Sequence, residues 1–390
     1  MKVKKSTGRT ILFFSSLPHE IQAGAEILNI ITAEEFSNKK NYKVHILSFK
    51  KNIRIFNKLF YDDSIKLSNK QMEEGLIKKS KYEKVSLIEL FHLSKKASYI
   101  FTRSDMPSLI PFFLFLPFIP HLRRKIIVQF HTPLRYNNLR DSEGKLIVRS
   151  VIHNLMYVSY LSIFFKILLF LVSTKYHVFN RDTKMLVKKS KLIQSPVDQR
   201  FLRVDTTRKS TNIFKVAFVG RYSYQKGIDI LVSAINKYNK NYYNRIKFFF
   251  FGEGEYEENV NLLERKYGNI KNMHFVNHFE LPESLSKMNA VIIPSRYESS
   301  TSPLVLKEAL SLGLIALVSS INNFRSKNFK KICVYFDLSE KGINKSLITL
   351  LNMGKKEIAD RSTSAILYAK NHFLVKNYVK NLEKAFFKEE

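Results

Sequence analysis

The chain alternates short apolar runs with longer segments of helical periodicity, and this alternation constrains the fold more than any other feature. The runs are TILFFSS, YKVHILSF, ASYIFT, KIIVQF and YHVFN in the front half, and KVAFVG, IKFFFFG, MHFVN, AVIIPS, LIALVSS and CVYF in the back half. Runs rich in β-branched and aromatic residues are typical of strands buried on both faces, which occur in parallel sheets joined by crossover helices. The sequence therefore predicts an α/β fold.

The length of the chain predicts two domains, because 390 residues exceed what one hydrophobic core usually holds. Residues 196–213 carry turn formers and charge with little periodicity, which is typical of a segment between domains. We predict a front domain over 1–200, a linker over 201–213, a back domain over 214–370 and a terminal helix over 371–390. Two parallel sheets that present the carboxyl ends of their strands to a shared cleft would hold a ligand there.

The strongly basic composition points to phosphate-bearing partners. The formal net charge is +32, of which residues 1–200 carry +20 and residues 201–390 carry +12. Two interpretations stay open, namely the compositional bias of a Lys-, Asn-, Ile- and Phe-rich sequence and attraction to nucleic acid or an anionic membrane. The single cysteine, Cys333, cannot form an internal disulfide, so a reducing cytoplasm is expected.

Two strongly apolar segments lie in the basic front half. They are MPSLIPFFLFLPFIP at 106–120, which four prolines interrupt, and VIHNLMYVSYLSIFFKILLFLVS at 151–173, which a histidine, an asparagine and a lysine interrupt. The second is long enough to span a bilayer, but its polar residues favour a core helix or a membrane-surface element. HLRRK at 121–125 adds positive charge beside the first segment. This arrangement predicts a peripheral protein on the cytoplasmic face of the membrane.

The segment KVAFVGRYSYQKGIDILVSAI, residues 215–235, places two cations at the carboxyl end of a strand. The strand ends at Gly220, Arg221 and Lys226 occupy the loop, and an amphipathic helix follows. Two cations and a helix amino terminus suit a diphosphate, whereas the alternative is a pair of solvated surface cations. FFFFGEGE, further along, is a second strand followed by a glycine turn.

The segment VIIPSRYESSTSPLVLKEALSLG, residues 291–313, carries two glutamates between a strand and a helix. Glu298 lies in the loop, Ser302 is placed as the N-cap before a first-turn proline, and Glu308 lies in the helix. The exposed amides at the start of the helix belong to Leu304, Val305 and Leu306, since Pro303 has none. These amides could cap a phosphate, and carboxylates could accept hydrogen bonds from a ribose diol or from sugar hydroxyls. The alternatives are plain helix capping for Ser302 and a solvated position for Glu298.

Taken together, these segments resemble a known family. GRYSYQKG followed by a helix, then FGEGE, PSRYE and KEAL in that order and spacing, resemble the carboxyl domain of the glycosyltransferase group 1 family, retaining enzymes of the GT-B fold. The front half is similar more loosely, through ILFFSSLP, QAGAE and IIVQFHTP. The resemblance implies two Rossmann-like domains whose parallel sheets face each other across a cleft, with C-terminal helices that pack back. The front domain would bind the acceptor and the back domain the nucleotide sugar.

The resemblance also implies roles for individual residues. Arg221 and Lys226 match the pair that contacts the donor diphosphate, Glu308 matches the ribose-binding glutamate, and Glu298 matches the one that addresses the donor sugar. His131 matches a histidine near the transferred sugar. The implied donor-binding set is Gly24, Gly220, Arg221, Lys226, Ser302, Leu304, Val305 and Glu308, and the implied catalytic set is His131, Arg221, Lys226 and Glu298.

The function that the resemblance implies is retaining transfer from a UDP- or GDP-linked sugar, without a bound metal, to a glycan acceptor. A basic and apolar front half favours a lipid-linked acceptor in bacterial surface polysaccharide synthesis, at an anionic membrane. Nucleic acid is not expected as a partner, because the sequence shows no recognisable nucleic-acid-binding motif. The alternative is a catalytically degenerate GT-B protein that binds a glycan or polymer.

Four features depart from the family pattern, one of which is SSINNFRS at 319–326, a segment without the usual glycines and acidic residue. Nine residues separate Glu298 from Glu308 where the family has seven, so Ser300 occupies the family spacing. Ala23 replaces one glycine of the first loop, and Asn277 stands where a glycine is expected after HFV. These departures are expected to reshape the donor pocket.

Overall fold

The computed structural model forms two compact units. Unit 1 comprises Met1–Ser195 with Val375–Glu390, and unit 2 comprises Pro196–Leu374. The structure describes residues 8–15, 24–49, 81–104, 106–119, 121–131, 167–179, 181–204, 213–242, 245–296, 298, 303–320 and 329–387.

Unit 1 is built on a parallel sheet. Its strands are β1 (Arg9–Phe14), β2 (Tyr42–Phe49), β3 (Lys81–Val85), β4 (Tyr99–Arg103), β5 (Ile126–Phe130), β6 (Lys175–Val178) and β7 (Lys191–Leu192). They lie in the order β3-β2-β1-β4-β5-β6-β7, and every pair is parallel. The order reverses between β1 and β4, which is where open α/β sheets bind ligands.

The helices of unit 1 follow the strands in crossover positions. They are α1 (Gly24–Ser37), α2 (Leu87–Lys96), α3 (Met106–Phe115), α4 (Leu122–Lys125) and α5 (Arg181–Leu186), and residues 167–172 are also helical. Residues Ile11 to Phe14 of β1 are fully buried, as a central strand covered on both faces must be. Part of this core is aromatic, with the rings of Phe13 and Phe101 stacked at 4.8 Å.

Unit 2 repeats the same topology. Its strands are β8 (Phe214–Val219), β9 (Ile246–Phe251), β10 (Ile270–Asn272), β11 (Ala290–Ile293), β12 (Ile315–Ser319) and β13 (Cys333–Phe336). The order β10-β9-β8-β11-β12-β13 is parallel throughout and reverses between β8 and β11. The predicted α/β class with two parallel sheets is therefore confirmed.

The helices of unit 2 surround this sheet. They are α6 (Arg200–Arg203), α7 (Ile228–Tyr242), α8 (Glu257–Lys266), α9 (Leu281–Ser286), α10 (Leu304–Ser311), α11 (Glu340–Asn352) and α12 (Lys355–His372). The helix α13 (Val375–Phe386) follows but belongs to unit 1. There Lys39 donates to Glu383 at 2.6 Å and the ring of Phe387 stacks on Tyr99 at 3.7 Å. The prediction that C-terminal helices pack back onto the fold is confirmed.

Two local predictions differ from the structure. MHFVN was expected as a strand, but the strand ends before it at Asn272, because His274 adopts a left-handed backbone with φ of 53° that interrupts an extended run. The segment after residue 354 was expected to be continuous helix, whereas α12 ends at His372 and α13 begins at Val375. The apolar prediction at 151–166 lies outside the described residues. In the part of the chain that is described, no helix is both long and apolar enough to cross a bilayer.

Candidate functional site

Two glycine loops at the carboxyl ends of β8 and β9 pack backbone against backbone. The Tyr222 amide donates to the Glu253 carbonyl at 2.8 Å. A Cβ on Gly252, whose φ is 150°, would lie 2.0 Å from the Gly220 carbonyl oxygen, so no other residue fits there. The glycine turn of FFFFGEGE therefore holds the loop that carries Arg221. The Arg221 side chain is exposed.

The turn that carries Lys226 is fixed in the same way against β11. Residues Tyr224–Lys226 form a 3-10 turn that ends at Gly227, whose φ of 69° lies in the left-handed region. A Cβ on Gly227 would lie 1.9 Å from the Pro294 carbonyl oxygen. Glycine at this position lets the start of α7 touch the end of β11, which brings Lys226 to the loop that follows Pro294.

Lys226 and Glu298, 72 residues apart, form an ion pair. The Lys226 Nζ lies 2.6 Å from Glu298 Oε1, and the Ser295 hydroxyl donates to the same oxygen at 2.7 Å. The side chains are 21% and 6% exposed. The solvated interpretation of Glu298 is thus wrong, since a nearly buried carboxylate needs such partners. Gly220 lies close by, because a Cβ there would be 3.9 Å from the Lys226 side-chain carbons.

Arg296 connects the turn before α7 with the loop after β11, and it was not among the residues predicted from the sequence. Its guanidinium donates twice to the Asp229 carboxylate, both at 2.6 Å, and once to the Tyr224 carbonyl, while it stacks on the Tyr224 ring at 3.6 Å. Burial alone would lower the pKa of Arg296, but hydrogen bonds to Asp229 and the charge of Asp229 raise it. A bidentate pair of this kind fixes orientation, so the turn before α7 and the loop after β11 are held in one register.

Glu308, on α10, is buried in a different pairing. Its Oε1 lies 2.8 Å from Nε2 of His278, and both side chains are nearly inaccessible. The neighbouring Lys307 is fully buried, and burial lowers its pKa to about 7 although the charge of Glu308 acts in the opposite direction. Its Nζ lies 5.5 Å from the ring centroid of Phe373. The described contacts bring Lys226 and Glu298 together, whereas Glu308 pairs with a histidine that sequence reasoning did not select.

The helix that carries Glu308 begins one residue later than expected. Pro303 is its N-cap rather than its first residue, and the Leu306 and Lys307 amides both donate to the Pro303 carbonyl. Proline with extended ψ of 159° can occupy that position because its missing amide is not needed there. The amides of Leu304 and Val305 precede these first intrahelical bonds. Ser302, predicted as the N-cap, lies outside the described residues.

The candidate residues of unit 1 lie at neighbouring strand ends. His131 follows β5, and its Nε2 is buried without a hydrogen-bond partner among the described residues. Burial, then the charges of Arg103 and His177, hold the pKa of His131 well below its usual value, so the ring is neutral. Gly24 opens α1, and two residues later Glu26 pairs with Arg103 at the end of β4.

The Glu26–Arg103 pair was not predicted, although Glu26 closes the QAGAE segment. Glu26 is 1% exposed, so its carboxylate is almost inaccessible to water. The signal available in the sequence was a charged side chain directly at a strand end, which is where side chains reach the ligand edge of a parallel sheet.

Comparison with known proteins agrees with this architecture. Residues 201–380 match the family model described as "Glycosyl transferases group 1". A glycogen synthase of Mycoplasma mobile is 30% identical over 169 residues, which are 39% of this chain and 32% of that protein. The chain thus spans about a third of that curated relative, and 17% of a second, the glycogen synthase of Thermodesulfovibrio yellowstonii.

Solved structures match over nearly the whole chain. Anabaena HepE in complex with UDP and glucose has a TM-score of 0.64 at 12% identity, covering 96% of this chain and 98% of its own. The lipopolysaccharide outer core galactosyltransferase WaaB in its apo form has a TM-score of 0.58 at 13% identity, covering 97% and 99%. These likenesses establish the fold. The chain has the GT-B fold, and its residues 201–380 match the model of the group 1 glycosyltransferases, a family of enzymes.

Proposed function

We propose that the chain is a retaining glycosyltransferase, which takes a sugar from a nucleotide diphosphate held by unit 2 and passes it to an acceptor bound by unit 1. The observation that carries the proposal is the Lys226–Glu298 pair beside the glycine loops of β8 and β9. A cation and a carboxylate held together at the ligand edge of a sheet can serve two neighbouring parts of one donor, its diphosphate and its sugar hydroxyls.

In this mechanism the chain acts mainly by stabilising the leaving diphosphate. Arg221 and Lys226 would meet its negative charge, together with the amides of Leu304 and Val305 at the start of α10. Glu298 would accept hydrogen bonds from the donor sugar, and Glu308 from the ribose diol. We propose that no bound metal is needed, because these cations and amides supply the countercharge. The neutral ring of His131 would orient hydroxyls of the transferred sugar.

The nucleotide is proposed to be UDP or GDP linked. HepE, which shares the fold, was solved with UDP and glucose, and this supports UDP as the first nucleotide to try. The test is calorimetric titration of UDP, GDP, ADP and CMP into the wild-type protein and into Glu308→Ala. We expect one diphosphate to bind selectively and to lose most of its affinity in the variant.

Failure of all four nucleotides to bind would remove the transferase proposal. It would favour a degenerate GT-B protein that binds a glycan or polymer, an alternative consistent with the two extra residues between Glu298 and Glu308. If a nucleotide binds, the anomeric configuration of the product, read by NMR from the matching nucleotide sugar, tests retention. Activity that persists in excess chelator would support metal-free transfer.

The acceptor is proposed to be a lipid-linked glycan of a bacterial surface polysaccharide, reached from the inner face of the membrane. The similarity to WaaB, a lipopolysaccharide outer core galactosyltransferase, supports the polysaccharide class. Exposed apolar side chains on unit 1 support the membrane, and these are Phe113, Leu114, Phe118, Ile167, Phe170 and Leu171. Their buried neighbours in both segments join one core, and the Arg123 guanidinium lies 4.2 Å from the Phe170 ring centroid. Apolar groups interleaved with cations are the composition that anionic lipid attracts.

Sedimentation with vesicles tests this docking surface. The wild-type protein should bind vesicles that contain anionic lipid at low salt, bind less at high salt, and bind neutral vesicles weakly. Phe118→Ser combined with Phe170→Ser should reduce binding, whereas Leu262→Ser, a control at a 54% exposed apolar position of unit 2, should not. Equal binding by all three proteins would contradict the surface.

A further inference from the structure

His278 is a buried histidine directly bonded to the glutamate assigned to the nucleotide ribose. It lies between β10 and α9 and is 5% exposed. An ionised carboxylate only accepts hydrogen bonds, so the 2.8 Å contact requires the proton on Nε2 of His278, donated to Oε1 of Glu308. One carboxylate oxygen is thereby occupied from within the protein.

The histidine ring is itself held in place from the beginning of unit 2. The Phe201 ring lies 5.4 Å from the His278 ring, centroid to centroid. Asp198 interacts electrostatically with His278: burial raises the pKa of Asp198, while hydrogen bonds from Arg200, then the charges of Arg200 and His278, lower it below its usual value. Arg200 donates to Asp198 at 2.6 Å. A packed aromatic ring and a nearby carboxylate are the kind of outer groups that orient a ligand-binding side chain.

Such support has a chemical consequence for Glu308. A carboxylate that must receive a vicinal diol needs a fixed plane, since both hydroxyls can be accepted together only in one orientation. Without a donor on Oε1, a nearly buried carboxylate would lose a bond that offsets its desolvation and would be free to rotate.

We propose that His278 is a positioning residue that orients Glu308, and thereby makes unit 2 select nucleotides by their ribose hydroxyls. The proposal rests on the proposed function, in which Glu308 receives the ribose. It adds a specificity determinant outside the GRYSYQKG, FGEGE, PSRYE and KEAL segments. His278 directly follows Asn277, the residue that stands where the family pattern has a glycine.

The test compares UDP with 2′,3′-dideoxy-UDP by calorimetry, using GDP and its dideoxy analogue if GDP is the preferred nucleotide. Four proteins are titrated: the wild type, Glu308→Gln, His278→Gln and His278→Met. Gln and Met are similar in length, but only Gln can donate a hydrogen bond to Glu308. In the wild type the dissociation constant of the dideoxy analogue should exceed that of the natural nucleotide. We expect this ratio, analogue over natural nucleotide, to fall by about tenfold in His278→Met and to be largely retained in His278→Gln. Inorganic pyrophosphate affinity should be equal in all four, which excludes general damage to the site.

The outcomes separate this inference from the proposed function. If Glu308→Gln keeps the wild-type ratio, Glu308 does not receive the ribose and the assignment falls, together with the inference. If Glu308→Gln loses the ratio but His278→Met keeps it, the inference alone is overturned. If neither histidine variant folds, ¹⁵N-histidine spectra of the wild type decide. The His278 Nε2 signal must then respond to UDP and not to pyrophosphate, and an unchanged signal would overturn the inference.

Discussion

Removing the cation of the Lys226–Glu298 pair should cost far more stability than removing its carboxylate. Lys226→Met leaves the Glu298 carboxylate nearly buried, and breaking a buried pair in this way costs about 3–5 kcal/mol. We expect about 3 kcal/mol, the lower end, because the Lys226 side chain is 21% exposed and the Ser295 hydroxyl still donates to Glu298. For a unit of this size the melting temperature should fall by about 9 °C.

The complementary changes should behave differently. Glu298→Gln should cost only about 1 kcal/mol, because the Lys226 amine can reach water and the glutamine can still accept the Ser295 hydrogen bond. The double variant should be close to Glu298→Gln alone, since no charge is then left buried without a partner. The double-mutant cycle therefore predicts a coupling of about 3 kcal/mol.

Urea unfolding monitored by circular dichroism at pH 7 supplies the four free energies of unfolding for this cycle. If the effects of the two single changes simply add, the pair does not contribute to stability and the reasoning from burial is refuted. UDP binding, measured on the same proteins, separates stability from function. Lys226→Met should weaken UDP at least tenfold, through the loss of a charge-assisted hydrogen bond, whereas Glu298→Gln should not, because UDP lacks the sugar.

Three further predictions concern single sites. Gly227→Ala should destabilise unit 2 by more than about 2 kcal/mol, because its Cβ would meet the Pro294 carbonyl at 1.9 Å, whereas Gly354→Ala, with open space around it, should be nearly neutral in the same thermal melts. His177 is buried with its pKa lowered to about 4, chiefly by burial. As the pH falls, His177 is therefore protonated in the unfolded chain before it is protonated in the folded protein. The free energy of unfolding should fall by roughly 3 kcal/mol from pH 7 to pH 4. His177→Gln should flatten that part of the urea-unfolding profile, and an unchanged slope would count against it. Burial raises the pKa of the Cys333 thiol to about 12, so the native protein should resist a thiol reagent at pH 8 and react once urea unfolds it, while rapid native labelling would disprove the burial.

The fold could be predicted because each central strand carries its own signal. Ten of the eleven predicted apolar runs coincide with observed strands, while MHFVN is displaced by the left-handed backbone at His274. Three strands were missed: Lys81–Val85 and Lys191–Leu192, at opposite edges of one sheet, and Ile270–Asn272, at an edge of the other. Edge strands are charged and short, so they resemble loops in composition.

The site was predictable only in part. Lys226, Glu298 and Glu308 could be selected because each lies beside a glycine, a proline or a helix start whose spacing has a physical meaning. Their partners could not, because the Lys226–Glu298 bond spans 72 residues, and nothing local marks which carboxylate a lysine will reach. His278 and Arg296 were missed for the same reason. Each acts through a side chain contributed from another part of unit 2, and such pairings are decided by packing rather than by local pattern.

The return of α13 (Val375–Phe386) to unit 1 makes that unit discontinuous along the chain, with unit 2 inserted within it. A ribosome releases the whole of unit 2 before the segment that unit 1 still lacks. During synthesis, unit 1 therefore lacks the carboxyl-terminal segment whose Glu383 and Phe387 contact Lys39 and Tyr99. Unit 2 can complete its own core first, so we expect the inserted unit to fold before unit 1 during synthesis. Expression of the two halves as separate contiguous pieces would divide unit 1 rather than isolate it.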